Sequence, residues 1–93
     1  MMQPNAQPRG TYVAGPAGRD LRLGSAPRLL AVLVQPGQTM LYGPVGMAAT
    51  SIAAPVGASV FALLCLQGTV RFVCGSPATP ALVTVLDDAG QAE

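Results

Sequence analysis

Residues 59–75 (SVFALLCLQGTVRFVCG) are compatible with few backbones. Branched, aromatic and small apolar side chains fill both sides of Gln67 and Gly68, and no Pro or charge interrupts the run before Arg71. With Gln67 and Gly68 as the loop, the stretch predicts a β-hairpin. Leu66 then faces Thr69, Cys65 faces Val70, Leu63 faces Phe72 and Phe61 faces Cys74. Side chains alternate along a strand, so Phe61, Leu63, Cys65, Val70, Phe72 and Cys74 share one apolar face. Gly68 supplies the positive φ that a tight turn requires. The opposite face (Ala62, Leu64, Leu66, Thr69, Arg71 and Val73) is mixed, and in its charge-poor setting is expected to lie against a neighbouring subunit.

The flanking segments also read as short strands separated by Gly and Pro. Residues 28–35 (RLLAVLVQ) form a continuous apolar run, as expected of a strand buried on both faces. Pro36 and Gly37 favour a type II turn, whose twist fits tight hairpins poorly. They therefore predict an arch or wider connection into a strand over 38–42, which Gly43 and Pro44 end. Small residues dominate 43–58, which is expected to be loop or irregular strand, and 81–86 (ALVTVL) predicts a last strand. Residues 1–27 hold Pro4, Pro8, Pro16 and Pro27 together with Gly10, Gly15, Gly18 and Gly24, which predicts an extended arm. Within it, 19–23 (RDLRL) could add a short edge strand.

Together these features predict an all-β chain, a small sandwich or barrel of four to six short strands. The expected organisation is an arm over 1–27, a β domain over 28–88 and a polar tail over 89–93. A domain this small buries only about 60% of its unfolded surface, and oligomerisation would supply the missing burial.

Composition sharpens that expectation. Charged residues make up 10% of the chain, against roughly 25% in ordinary soluble domains, while hydrophobic residues make up 51%. No charge occurs between residues 29 and 70. Much of the surface is therefore expected to meet other protein or lipid. Arg9, Arg19, Arg22 and Arg28 stand against Asp20 in the first 28 residues, while Asp87, Asp88 and Glu93 are the charges of residues 72–93. A nucleic-acid binder would show a denser basic patch interleaved with aromatics, so no nucleic-acid partner is expected. In the hairpin register Cys65 and Cys74 lie roughly 13 Å apart, beyond the ~7 Å limit for bridging, and are expected to be buried free thiols. The opening MMQPNAQPRG lacks the charged-then-apolar pattern of a signal peptide, which predicts assembly in the cytoplasm.

Catalytic chemistry finds little material. The chain has no His and no Lys, so Ser25, Ser51, Ser59 and Ser76 could be activated only by four carboxylates, three of them at the C-terminal end. Asp87 and Asp88 would point opposite ways on a strand, and a hard cation wants six or more oxygens. No phosphate-binding spacing of Gly and Lys occurs. No enzyme, metal or cofactor is expected. Two other classes compete. A membrane span over 45–66 is long enough, but Gly46, Thr50, Ser51, Pro55, Gly57 and Ser59 make it weakly hydrophobic. VQPGQTM and APVGASV echo the turns of a biotinyl-like small barrel, yet the acceptor Lys is missing, and a ligand-binding β module is a further alternative.

In organisation, with its Pro/Gly-rich arm, charge-poor β body and lack of a catalytic set, the chain resembles the small structural proteins of tailed-phage virions, head decoration (cement) proteins in particular. The resemblance implies a virion subunit assembled in the host cytoplasm. Such a subunit is β-rich, commonly trimeric, and clamps capsid proteins through its extended arm. By position it implies that Arg9, Arg19, Arg22 and Arg28 meet acidic capsid surface, and that Leu30, Val32, Leu64 and Leu66 are subunit contacts.

Overall fold

The computed structural model describes residues 7–76 and 78–87, and the chain is all-β. Its strands are β1 (Gly10–Ala14), β2 (Arg19–Arg22), β3 (Arg28–Val34), β4 (Thr39–Pro44), β5 (Thr50–Ala53), β6 (Val60–Leu66), β7 (Thr69–Cys74) and β8 (Ala81–Val85). They form two antiparallel four-stranded sheets with orders β1-β8-β3-β6 and β2-β7-β4-β5. Along the chain every link except β4 to β5 crosses from one sheet to the other. That winding is a jelly roll, a sandwich in which neighbours in sequence face each other across the core.

The winding corrects the hairpin. β6 pairs with β3, and β7 pairs with β2 and β4, so Gln67 and Gly68 form an arch between sheets. The reason lies at Gly68: its amide donates to the Gly24 carbonyl at 2.8 Å, and the Leu23 amide donates to the Gly68 carbonyl at 2.7 Å. These bonds extend the β2–β7 ladder and hold the chain away from β6. An arch also changes which side chains share a face. The core receives Val60, Ala62, Leu64 and Leu66 from β6 and Val70, Phe72 and Cys74 from β7, leaving Phe61, Leu63 and Cys65 outside. Cys65 is exposed rather than buried, although both thiols are free as expected.

The sandwich has eight strands rather than four to six, because the supposed arm and the ambiguous segment each contribute. β1 pairs with β8, and β2 lies as an edge strand along β7 where 19–23 suggested one. Ala14, Leu21 and Leu23 are fully buried, so the β body begins near Gly10 and not at residue 28. Many of the Gly and Pro residues lie in links, as where the Gly18 amide closes a turn on the Gly15 carbonyl at 3.1 Å, but Gly43 and Pro44 continue β4 along β7 rather than ending it. Residues 1–6 of the expected arm and the tail over 89–93 lie outside the described residues. Within 43–58, β5 pairs with β4.

The 35–38 link is an arch, as Pro36 and Gly37 suggested. Gly37 adopts φ +77° and the Gln38 amide donates to the Gln35 carbonyl at 3.0 Å, the geometry of a type II turn. The core between the sheets joins Leu30, Val32, Val34, Val83 and Val85 to Leu21, Met40, Val70 and Phe72. Tyr42 stacks on Phe72 with ring centroids 6.1 Å apart. Among the described residues no helix is long and apolar enough to cross a membrane, and 45–66 runs through β5 and β6.

Candidate functional site

The two sheets present opposite chemistries outward. On the β1-β8-β3-β6 sheet the register places Val13, Leu82, Leu33 and Phe61 in one row across all four strands. Thr11, Thr84, Ala31 and Leu63 form the next row, and Leu29 pairs with Cys65 beyond it. Leu86 continues past β8, its amide donating to the Leu29 carbonyl at 2.9 Å. Thr11 and Thr84 supply the polar side chains of these rows, and their hydroxyls bond each other at 3.1 Å. No charged side chain stands in them. Phe61 is 71% exposed and Leu63 64%, with Val13, Leu29 and Leu86 each more than two-fifths exposed.

Spacing gives the size of this face. Four strands about 4.8 Å apart and roughly 20 Å long cover about 400 Å² in projection. The largest apolar patch on a typical monomer is of that order and is often functional. Exposed Leu or Val residues standing singly need no explanation, but four strands with their outward rows filled in this way do.

The outer side of the β2-β7-β4-β5 sheet is where the charges lie. The Arg71 Nε donates to Asp20 Oδ1 at 2.7 Å, and a second guanidinium nitrogen donates to Oδ2 at 3.1 Å. This two-point hydrogen bond holds the Asp20 carboxyl below its ordinary 3.8, against partial desolvation that raises it and with further lowering by the charge of Arg71. The same contact raises Arg71. Beside it, the 44–49 turn folds over β4 and leaves a cavity of about 210 Å³ lined by Leu41, Val45, Met47, Val73 and Arg71. Ligand pockets usually enclose about 300–1,000 Å³, and the charged group of this one already has a partner.

The structure separates the residues proposed as partner contacts. Arg9, Arg19 and Arg22 are exposed, with the Arg19 guanidinium 5.3 Å from the centre of the Tyr12 ring. Arg28 is a correction: its side chain is 2% exposed, enclosed where β3 begins, and bonded to the Gln7 carbonyl and to Asp87. Leu30 and Val32 are fully buried between the sheets, and Leu64 and Leu66 pack half-buried against the same core. Their alternation points them inward, so all four serve the subunit's own interior. The outward residues that sequence reasoning left unassigned, Val13, Leu29 and Leu33, and those it placed in the core, Phe61, Leu63 and Cys65, make up the face instead. The usable signal was that neither alternation phase of β3 or β6 is polar after Arg28.

Comparison with protein-family models, with curated proteins and with solved structures found no match.

Proposed function

We propose that this chain is a non-enzymatic structural subunit of a larger protein assembly, and that it docks through the outer face of the β1-β8-β3-β6 sheet. One observation carries the reading. β6 directs Phe61 and Leu63 outward, side chains as bulky as the Leu64 and Leu66 that it directs inward, although burial of large apolar side chains is what drives a strand onto its core. A strand with large apolar side chains on both faces is suited to lie between two apolar surfaces, of which the subunit provides one. Burying about 400 Å² at roughly 25 cal/mol per Å² would release on the order of 10 kcal/mol, comparable to the cost of association. A single contact is thus modest, and repeated copies in a lattice make it effective.

Among assemblies, a virion shell that the subunit decorates and stabilises agrees best with the chain's organisation. Jelly rolls recur in viral capsid domains, although also in lectins and cupins, so the fold adds an analogy and no more. Exposed Arg9, Arg19 and Arg22 would meet acidic surface at the rim of the contact, in place of a long clamping arm.

The experiment is a double substitution, Phe61→Lys with Leu63→Lys, in a system producing particles. We expect the variant to fold and to be missing from purified particles in which the parent chain is present at a fixed ratio to the major shell protein. Full incorporation of the folded variant, or a parent chain that floats with lipid vesicles rather than with particles, would sink the reading.

A further inference from the structure

The four sheet edges are not equally protected. β2 has four residues, three of them charged (Arg19, Asp20 and Arg22). β5 also has four residues, and Pro55 follows soon after it. β1 has five residues and opens on Gly10, with Arg9 before it. Such features, short length, charge and Pro, are how native sheets prevent their edges from pairing with other chains. β6 has none of them. It runs for seven residues, Val60–Leu66, with no charge, Pro or Gly, and among the described residues β3 is the one strand beside it. A long, uncharged and apolar edge in a folded protein is a place where another strand is expected.

We infer that a second copy of this chain pairs antiparallel along β6 across a two-fold axis, joining two β1-β8-β3-β6 sheets into one of eight strands. The strand is its own complement. Centred on Leu63, the full-length register sets Leu63 opposite itself, Phe61 opposite Cys65 and Val60 opposite Leu66. Every cross-strand pair is therefore apolar, and no like charges meet. A contact that uses the same patch on both copies closes on itself as a dimer. The pairing leaves both outer faces open and sets them side by side. One outer face covers about 400 Å², half of the roughly 800 Å² that each partner contributes to a standard interface. Two faces made continuous through β6 reach that size, so the pairing turns two undersized faces into one docking platform. The inference adds self-pairing to the assembly reading and does not depend on it, because the edge is undefended whatever covers the face.

Two kinds of variant separate edge from face. Leu63→Lys puts two ammonium groups opposite each other at the two-fold axis, while Val13→Lys charges the same outer face on β1, at the far side of the sheet. Sedimentation of the purified full chain should show a dimer for the parent and for Val13→Lys, and a monomer for Leu63→Lys. A parent that is monomeric or trimeric overturns the pairing. So does dissociation by both substitutions, which would mean face-to-face packing, or by neither. Should Leu63→Lys lose its β-sheet circular dichroism, Phe61→Cys decides. It brings a thiol opposite Cys65 of the second copy, whereas Cys65 of its own chain is four residues along the strand, roughly 13 Å away and out of bridging range. Mild oxidation should give a covalent dimer of Phe61→Cys and none of Val13→Cys; an uncrosslinked Phe61→Cys overturns the inference.

Discussion

Arg28 and Asp87 join the beginning of β3 to the end of β8. The Arg28 Nε donates to Asp87 Oδ1 at 3.4 Å and a terminal nitrogen donates to the Asp87 carbonyl at 2.5 Å, while the other terminal nitrogen reaches the Gln7 carbonyl at 2.6 Å. One buried guanidinium thus gathers three separate segments, the approach to β1, the start of β3 and the exit from β8. The Asp87 carboxylate also accepts from the Leu29 amide at 3.3 Å.

Removing that guanidinium leaves two carbonyls without their charged donor and opens a space the neighbours cannot fill. Arg28→Ala should lower stability by about 1–3 kcal/mol, the cost of leaving hydrogen-bond partners unmade, because the Asp87 side chain is 49% exposed and stays hydrated. Chemical denaturation measures this as a lower midpoint at unchanged slope. A variant as stable as the parent would show the contact to be incidental.

Gly43 has no unusual φ, yet a Cβ there would lie 2.8 Å from the Ala48 carbonyl oxygen and 3.1 Å from the Ala49 Cα. Both obstacles are backbone and cannot rotate away. Gly43→Ala should therefore cost about 1–3 kcal/mol through overpacking. Gly75→Ala is the control: nothing lies within 4 Å of its Cβ, and the change should stay within about 0.5 kcal/mol. Thermal unfolding of the two variants side by side checks the contrast.

Asp20 is held in its charged form by Arg71, so its folded-state value is depressed relative to the unfolded chain. Whatever stability this pair contributes is present above the unfolded value of 3.8 and is lost as pH falls below it, through the folded value. Carboxyl carbon shifts followed by NMR should show Asp20 titrating below 3.8 in the parent. In Arg71→Gln the midpoint should move up. Both groups are exposed, so added salt should shrink the difference.

The thiols should differ in reactivity toward a thiol reagent under native conditions. Cys65 is exposed on the outer face and should react in the free subunit at once, whereas Cys74 is fully buried and should wait for unfolding. Slowed labelling of Cys65 on assembly, with Cys74 unchanged, would report coverage of the face.

Strand content was legible in the sequence wherever apolar alternation met a Gly or Pro boundary: β3, β4, β6, β7 and β8 all lie where the residues 28–86 suggested them. β1 and β5 were obscured because each is only four or five residues long between Gly and Pro, too short for periodicity to stand out against turn composition. The apolar outer face was half visible. That residues 29–70 carry no charge predicted an apolar surface, but not which phase of β6 would lie outside.

Composition and local pattern suffice to make the chain all-β, too poor in charge to cover its surface with polar groups, and turned at many of its Gly and Pro residues. Those are local properties, set by side-chain shape and backbone freedom. Only the tertiary structure decided that Gln67 and Gly68 make an arch. A two-residue link can either fold a strand back on its neighbour or carry it across a sandwich, and the choice depends on distant partners: Leu23 and Gly24 capture Gly68. From that one decision follows the parity of β6, and with it the appearance of Phe61, Leu63 and Cys65 on the outer face.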